Sequence, residues 1–182
     1  MNIKAEIMNG DQMRRAIKRM SHEILERNSG ADDLVLLGII SRGVPLAEEI
    51  AKNILEIEGV EVPIGELDVS AFDDRRHVED KDASSQGRGE FRVPEVDING
   101  KDVILVDDVI FTGRTTRAAL DACSSFGRAR TIQLAVLVDR GHREIPIRAD
   151  YVGKNVPTSR DERVNVLIER VDGINGVQLV EK

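Results

Sequence analysis

The chain of 182 residues is long enough to bury one sizeable core, and its 41% hydrophobic and 32% charged residues are typical of a globular protein. Its single cysteine, Cys123, excludes an internal disulfide, and no stretch approaches the roughly 18 consecutive apolar residues of a membrane span. The net charge is −7, with 15 acids and 6 bases in residues 48–97, which argues against a protein that coats nucleic acids but permits a local basic face.

From these properties we expect a single cytoplasmic domain, residues 1–182, with no membrane partner.

The first predicted helix begins after Asn9, with Gln12 placed to complete a capping box. The helical spacing predicts an apolar face, which consists of Met13, Ile17, Met20 and Ile24. A different arc of the same helix carries a basic stripe, which consists of Arg14, Arg15, Lys18, Arg19 and His22.

A strand–helix–strand unit follows, which predicts parallel strands. The apolar run Leu34–Ile40 is typical of a fully buried strand, and Ser41-Arg42-Gly43 forms the turn after it. Pro45 favours the first turn of a helix that ends at Gly59, and an extended pattern resumes over Val62–Phe72.

The segment Asp73–Glu90 is nearly all polar and too long for a simple connection, so we expect a flexible functional loop. After it, Lys101–Val109 is predicted as a strand, followed by a helix to Phe126 with Gly127 as its C′ residue. The remaining predicted strands are Thr131–Val138 and segments near Val164–Ile168 and Val177–Val180.

Two adjacent acids, Asp107 and Asp108, end the predicted strand Lys101–Val109 abruptly. In an open α/β sheet this edge is where ligands bind, and carboxylates accept hydrogen bonds from sugar hydroxyls. The next turn places hydroxyls and a glycine at a helix N-terminus, a favourable position for an anion; these residues are Thr112, Gly113, Thr115 and Thr116. Alone, each feature is more often a simple turn or helix start, but together they match a ribose 5-phosphate.

Ser41-Arg42-Gly43 also lies between a predicted strand and a helix N-terminus. By itself it is best explained as an ordinary turn. Because it comes one strand–helix–strand unit before the acids, it is a candidate pyrophosphate pocket, with Arg42 as the cation.

The run Val103–Thr115 resembles the signature of type I phosphoribosyltransferases. The run Val138–Ser159, which reads VDRGHREIPIRADYVGKNVPTS, resembles one branch of that family, the PyrR proteins, which are pyrimidine operon regulators and uracil phosphoribosyltransferases. Gly65–Val69 and Arg14–Ile17 also fit that branch, so the resemblance covers nearly the whole chain.

This resemblance implies an α/β fold of the type I phosphoribosyltransferase kind, with a central, mostly parallel sheet flanked by helices, a flexible loop, and a small hood built from about residues 140–182 and the N-terminal segment. It implies that uracil reacts with 5-phosphoribosyl 1-diphosphate (PRPP) to give UMP and pyrophosphate, with Mg²⁺ bound by the substrate and no dedicated protein ligands. The implied donor-binding residues are Ser41, Arg42, Gly43, Asp107, Asp108, Val109, Ile110, Phe111, Thr112, Gly113, Arg114 and Thr115. Asp107, Asp108 and Arg42 would be catalytic, and Arg140 and Val164 would form the hood over the base.

The branch also binds a stem-loop in the leader of pyrimidine operon mRNA, with UMP or UTP as co-regulator, and forms homodimers or larger assemblies. The implied RNA contacts are Arg14, Lys18, Arg19, His22, Arg27, His142, Arg143, Arg148, Lys154, Thr158 and Arg160. Without the resemblance, a basic helix stripe is usually a solvated face. A regulator with vestigial catalysis and a phosphoribosyltransferase for another base remain alternatives.

Three positions depart from the family pattern. Arginine usually precedes two acids before the flexible loop, whereas this chain has Asp73-Asp74 followed by Arg75-Arg76. Phe111 stands where Tyr is common and Ser41 where Thr is common. None of these changes removes the acids or the phosphate turn.

Overall fold

The structure is a computed structural model that describes residues 2–73 and 91–181. These residues form two sheets and four α-helices. The elements are β1 (Ile3–Asn9), α1 (Gly10–Arg27), β2 (Leu34–Ile39), α2 (Gly43–Glu58), β3 (Ile64–Leu67), β4 (Asp102–Ile110), α3 (Arg114–Phe126), β5 (Thr131–Asp139), β6 (Tyr151–Asn155), β7 (Glu162–Leu167), α4 (Glu169–Asp172) and β8 (Gly176–Glu181).

The larger sheet has five parallel strands in the order β3-β2-β4-β5-β6. Its central strands are apolar on both faces because helices cover both. Leu36 and Ile104 pack in one cluster with residues of α1 and α2, whereas Leu37 and Leu105 pack in another with residues of α3. The predicted fold class, a mostly parallel sheet flanked by helices, is confirmed.

Helix α1 forms as its sequence predicts. The Asn9 side chain accepts from the amide of Gln12 at 2.9 Å, and the Gln12 side chain accepts from the amide of Asn9 at 2.9 Å, which completes the capping box. All four residues of the predicted apolar face are buried. A buried hydrogen bond from Asn53 to the hydroxyl of Ser21 ties α1 to α2.

The smaller sheet is antiparallel, with the order β1-β8-β7. It joins the N-terminal segment to the last two strands, in the region where the hood was predicted, and Ile3 pairs with Val180. The strands near Val164–Ile168 and Val177–Val180 were predicted, but β1 was missed. Most residues of β1 are exposed, so its sequence lacks the apolar run of a buried strand, and its partner lies at the other end of the chain.

Two predicted strands are shorter than expected. Strand β2 ends at Ile39, and Ile40 is 49% exposed because the chain turns out of the sheet there. The extended pattern expected over Val62–Phe72 contains only β3, since Ser70–Phe72 forms a 3₁₀ turn closed by the Phe72 amide and the Val69 carbonyl.

Gly127 does end α3, but not in the left-handed conformation of a typical C′ glycine, since its φ is −176°. The reason for glycine here is space, because a Cβ at Gly127 would lie 2.5 Å from Cγ1 of Ile98. The expected loop Asp73–Glu90 lies outside the described residues beyond Asp73, as do Arg75 and Arg76. Among the residues described, no helix is long and apolar enough to cross a membrane.

Candidate active site

A cavity of about 360 Å³ opens at the carboxyl edge of the parallel sheet. Strands β2, β3 and β4 run side by side and deliver their following residues to this edge. The lining residues are Ile39, Ile40, Ser41, Arg42, Asp68, Val69, Ser70, Asp73, Asp107, Asp108, Val109 and Thr115. The structure therefore brings the predicted acids and the predicted Ser41-Arg42 turn together in one pocket.

Asp107 and Asp108 are each fixed by the next residue of the chain. The amide of Asp108 donates to the Asp107 carboxylate at 2.9 Å, and the amide of Val109 donates to the Asp108 carboxylate at 2.8 Å. Burial, together with the negative charge of Asp108 beside it, raises the pKa of Asp107 well above its ordinary value. A buried acid with a raised pKa, next to a second acid in a cleft, is typical of a functional site rather than of a simple turn.

The turn before α3 is built around Gly113, whose φ of 91° favours glycine. The hydroxyl of Thr112 accepts from the amide of Arg114 at 3.3 Å, and the carbonyl of Thr112 accepts from the amide of Glu144 at 2.9 Å. Thr115 lines the cavity, whereas Thr116 is buried. The first amides of a helix have no partner within it, so this turn retains the features of an anion site.

The turn before α2 lies against β4. A Cβ on Gly43 would overlap the carbonyl oxygen of Val106, the residue just before the two acids, so only glycine fits. The peptide bond between Ile40 and Ser41 is cis. The contact between Gly43 and Val106 places the start of α2 directly beside the end of β4. It therefore also places the Ser41-Arg42 turn beside Asp107.

The Arg42 side chain extends from this turn toward the smaller sheet. Its Nε donates to the carbonyl of Val166 at 2.8 Å, and its Nη2 lies 2.9 Å from one carboxylate oxygen of Asp172. Arg42 therefore lines the cavity while it is paired with an acid of α4.

Several predicted donor-binding residues are near the pocket without lining it, namely Gly43, Ile110, Phe111, Thr112, Gly113 and Arg114. The Arg114 side chain pairs with Glu144 at 2.8 Å. Asp68 and Ser70, which were not predicted as site residues, also line the pocket, as does Asp73, the first residue of the expected loop. Asp68 follows β3 directly, so the rule that ligands bind at the carboxyl edge would have identified it.

Arg140 and Phe111 stack beside the turn, with the guanidinium 3.9 Å from the ring centroid. Arg140 is only 6% exposed, and burial lowers its pKa. Its Nε donates to the hydroxyl of Thr158 at 3.0 Å and its Nη2 to the carbonyl of Ser159 at 3.0 Å. Val164, by contrast, is 7% exposed and packs in the core, so its side chain does not form the predicted cover of a base.

Most of the predicted RNA contacts are on the surface. The exposed ones are Arg14, Lys18, Arg19, His22, Arg27, Arg148, Lys154 and Arg160. Arg19 donates to the carbonyl of Gly153 at 2.6 Å, which joins α1 to β6, and Lys154 donates to that of Ile7 at 3.2 Å, which joins β6 to β1. Between them lies a groove of about 410 Å³ lined by Met8, Gln12, Arg15, Ala16, Arg19, Gly153 and Lys154.

His142, Arg143 and Thr158 are only partly exposed, and their polar groups bond within the protein, so these three offer the least surface among the predicted RNA contacts. Arg143 contacts the carboxylate of Asp139 at 2.6 Å and the carbonyls of Phe111 and Ile147 at 3.0 and 2.9 Å. The His142 ring bonds to the carbonyl of Thr158 at 2.5 Å. These contacts tie the chain that follows β5 to Phe111 and to Thr158.

Comparison with known proteins identifies the family. The phosphoribosyl transferase domain model matches residues 4–167. The bifunctional protein PyrR of Thermus aquaticus is 56% identical over 182 residues, covering 100% of this chain and 98% of the relative. That of Thermoanaerobacter sp. strain X514 is 54% identical over 184 residues, covering 100% of both chains.

The chain belongs to the PyrR family of phosphoribosyltransferases. Its fold is also that of a hypoxanthine phosphoribosyltransferase from Staphylococcus aureus, with a TM-score of 0.73 at 20% identity over 98% of this chain and 92% of that one. The predicted family, fold and phosphoribosyltransferase activity with a regulatory role are therefore confirmed, while the role of each residue stays a prediction.

Proposed function

We propose that the protein transfers the ribose 5-phosphate group of PRPP to uracil, giving UMP and pyrophosphate, and that it also binds the mRNA leader of a pyrimidine operon. The observation that carries the first part is the single pocket shared by Asp107, Asp108, Thr115 and the Ser41-Arg42 turn. It combines two acids for a sugar with two helix N-termini for anionic groups.

In this proposal the 5-phosphate of the donor binds at the turn before α3. Thr112, Thr115 and the first amides of the helix would donate to its oxygens, as at other helix N-termini. The carboxylates of Asp107 and Asp108 would accept hydrogen bonds from the ribose hydroxyls. Their fixed positions, each held by the following amide, support this role because binding would require little reordering.

Pyrophosphate would leave toward the turn before α2. Displacement at the anomeric carbon passes through a state with positive charge on the ribose, which nearby carboxylates stabilise. The leaving group needs neutralisation more than a proton, and Arg42 with the α2 N-terminus would supply part of it.

Magnesium would enter as part of the substrate, since Mg²⁺ binds phosphate oxygens and retains several waters. Among residues 2–73 and 91–181, no cluster of three or more His, Cys, Asp or Glu side chains is arranged to hold a metal ion. In this proposal the acids that line the pocket would contact the waters of a phosphate-bound ion without forming a cage.

Uracil as the base is supported by the resemblance of Val138–Ser159 to the PyrR branch. Arg140, stacked on Phe111 and bonded to Thr158, would form one wall of the base site. The experiment is a product assay with PRPP, Mg²⁺ and a panel of uracil, hypoxanthine, guanine and orotate. UMP from uracil alone is expected; turnover only with another base would reassign the substrate, and no turnover would refute the proposal.

RNA binding is the second function, and the exposed basic stripe on α1 beside the groove at Lys154 favours it. RNA would be bound mainly through phosphate contacts, so affinity should fall steeply with salt. Filter binding with a structured leader RNA, with and without UMP or UTP, tests this. Binding that neither nucleotide nor salt affects would contradict it.

We also propose a homodimer or larger homo-oligomer, in which a two-fold axis would extend the basic face. A single domain over residues 1–182, with a cytoplasmic location, remains the prediction from composition. Sedimentation at several protein concentrations would test the assembly.

A further inference from the structure

Arg42 connects the pocket to the smaller sheet. Its Nε bonds to Val166 of β7, and its Nη2 lies 2.9 and 3.1 Å from the two carboxylate oxygens of Asp172. The Arg42 and Asp172 side chains are 31% and 21% exposed, so solvent screens the pair only partly. The cation expected to neutralise pyrophosphate is thus already paired with an acid of the protein.

Asp172 is held in place independently of Arg42. Its Oδ2 accepts from the amide of Ile168 at 2.8 Å, and its own amide donates to the carbonyl of Ile168 at 2.6 Å. The carboxylate is therefore fixed by the turn of α4 on which it lies, and it would remain in position if the guanidinium moved away.

The pairing limits what Arg42 can offer to a ligand. Nε is bonded to Val166 and Nη2 to Asp172, whereas Nη1 has no partner among the described residues. A pyrophosphate group that takes a bidentate hydrogen bond through Nη2, the strongest arrangement, competes with Asp172 for that nitrogen. A group that leaves the pair intact relies mainly on the two N–H groups of Nη1.

We propose that Asp172 is a positioning residue that competes with pyrophosphate for Arg42, and so lowers the affinity of the site for the leaving product. The inference rests on the proposed function, because it takes the turn before α2 as the pyrophosphate site. Its consequence is easier product release, obtained at the expense of weaker donor binding.

The test is Asp172→Asn, whose side-chain oxygen can still accept from the amide of Ile168. Titration calorimetry with magnesium pyrophosphate should show roughly threefold to fivefold tighter binding, the amount that loss of a partly exposed ion pair allows. The KM for PRPP should fall by a similar factor while kcat does not rise. A merely structural role would weaken binding instead.

Glu169→Gln is the matched control, because Glu169 lies on the same short helix and its carboxylate contacts Asn175 rather than Arg42. It should leave pyrophosphate binding unchanged. In an Arg42→Gln background, adding Asp172→Asn should have no further effect.

Equal or weaker pyrophosphate binding by Asp172→Asn would overturn this inference alone, provided that the wild-type protein binds pyrophosphate. If the wild-type protein does not bind magnesium pyrophosphate at all, the proposed function is overturned and this inference with it.

Discussion

The carboxyl edge of the parallel sheet and the segment from Asp139 to Arg160 both carry residues assigned to the proposed site, but they are held in different ways. At the edge, backbone contacts place short side chains: amides fix Asp107 and Asp108, and Gly43 lies against Val106. In the segment, long side chains such as Arg140 and Arg143 bond to groups far from them in the sequence, namely the Thr158 hydroxyl and the Phe111 carbonyl. Residues held by local backbone are easier to predict from sequence, because their partners are their neighbours.

The largest effect should come from the edge. Asp107→Asn combined with Asp108→Asn should lower kcat/KM by roughly a hundredfold to a thousandfold, since both proposed ribose contacts are weakened in the transition state. The fold should persist, because asparagine can still accept from the neighbouring amides. Steady-state kinetics with PRPP and uracil measure this, and an unchanged kcat/KM would remove the acids from the mechanism.

Arg143→Ala should affect stability, although Arg143 was predicted from sequence to contact RNA. It removes the partner of Asp139 and the donor to the Phe111 carbonyl, a loss of about 1–3 kcal/mol in the free energy of unfolding. The melting temperature should drop by roughly 3–10 °C. Arg148→Ala is the control, because Arg148 is exposed in the same segment; equal melting temperatures for both variants would contradict the assignment.

Asp107→Asn alone should make the protein more stable at neutral pH. The raised pKa of Asp107 means that the folded protein binds its proton more tightly than the unfolded chain, so stability falls as pH rises above the ordinary value of 3.8. Asparagine carries no charge and so removes this loss of stability. The melting temperature should rise by roughly 2–4 °C for each kcal/mol of stability that is regained. Thermal melts should converge near pH 3.8; a variant less stable than wild type at pH 7 would contradict the expectation.

The smallest effect should be that of Lys18→Ala, on the exposed stripe of α1. Loss of one phosphate contact should weaken leader-RNA binding several-fold and reduce the slope of log affinity against log salt by about 1. Arg19→Ala should act in the same direction, and neither variant should change uracil turnover. If either variant lowered uracil turnover and left RNA binding intact, the basic stripe of α1 would serve catalysis rather than RNA binding.

The sequence predicted the parallel sheet, α1 with its capping box, and the meeting of Asp107 with the Ser41-Arg42 turn. These depend on local periodicity and on the rule for parallel strand ends. It did not predict β1 or the inward direction of Arg143. Strand β1 is stabilised by pairing with β8 at the far end of the chain. The long Arg143 side chain can reach several acceptors, and those distant in sequence come close only in the folded protein.

The missing side chain of Gly43 has a consequence for substrate choice. Because α2 begins in contact with β4, the turns that start α2 and α3 lie at a set separation, determined by backbone rather than by movable side chains. In the proposed function, a donor must bridge that separation with its two anionic ends, so molecules are selected by length before any base is recognised. A shorter or longer phosphorylated sugar would contact only one of the two turns.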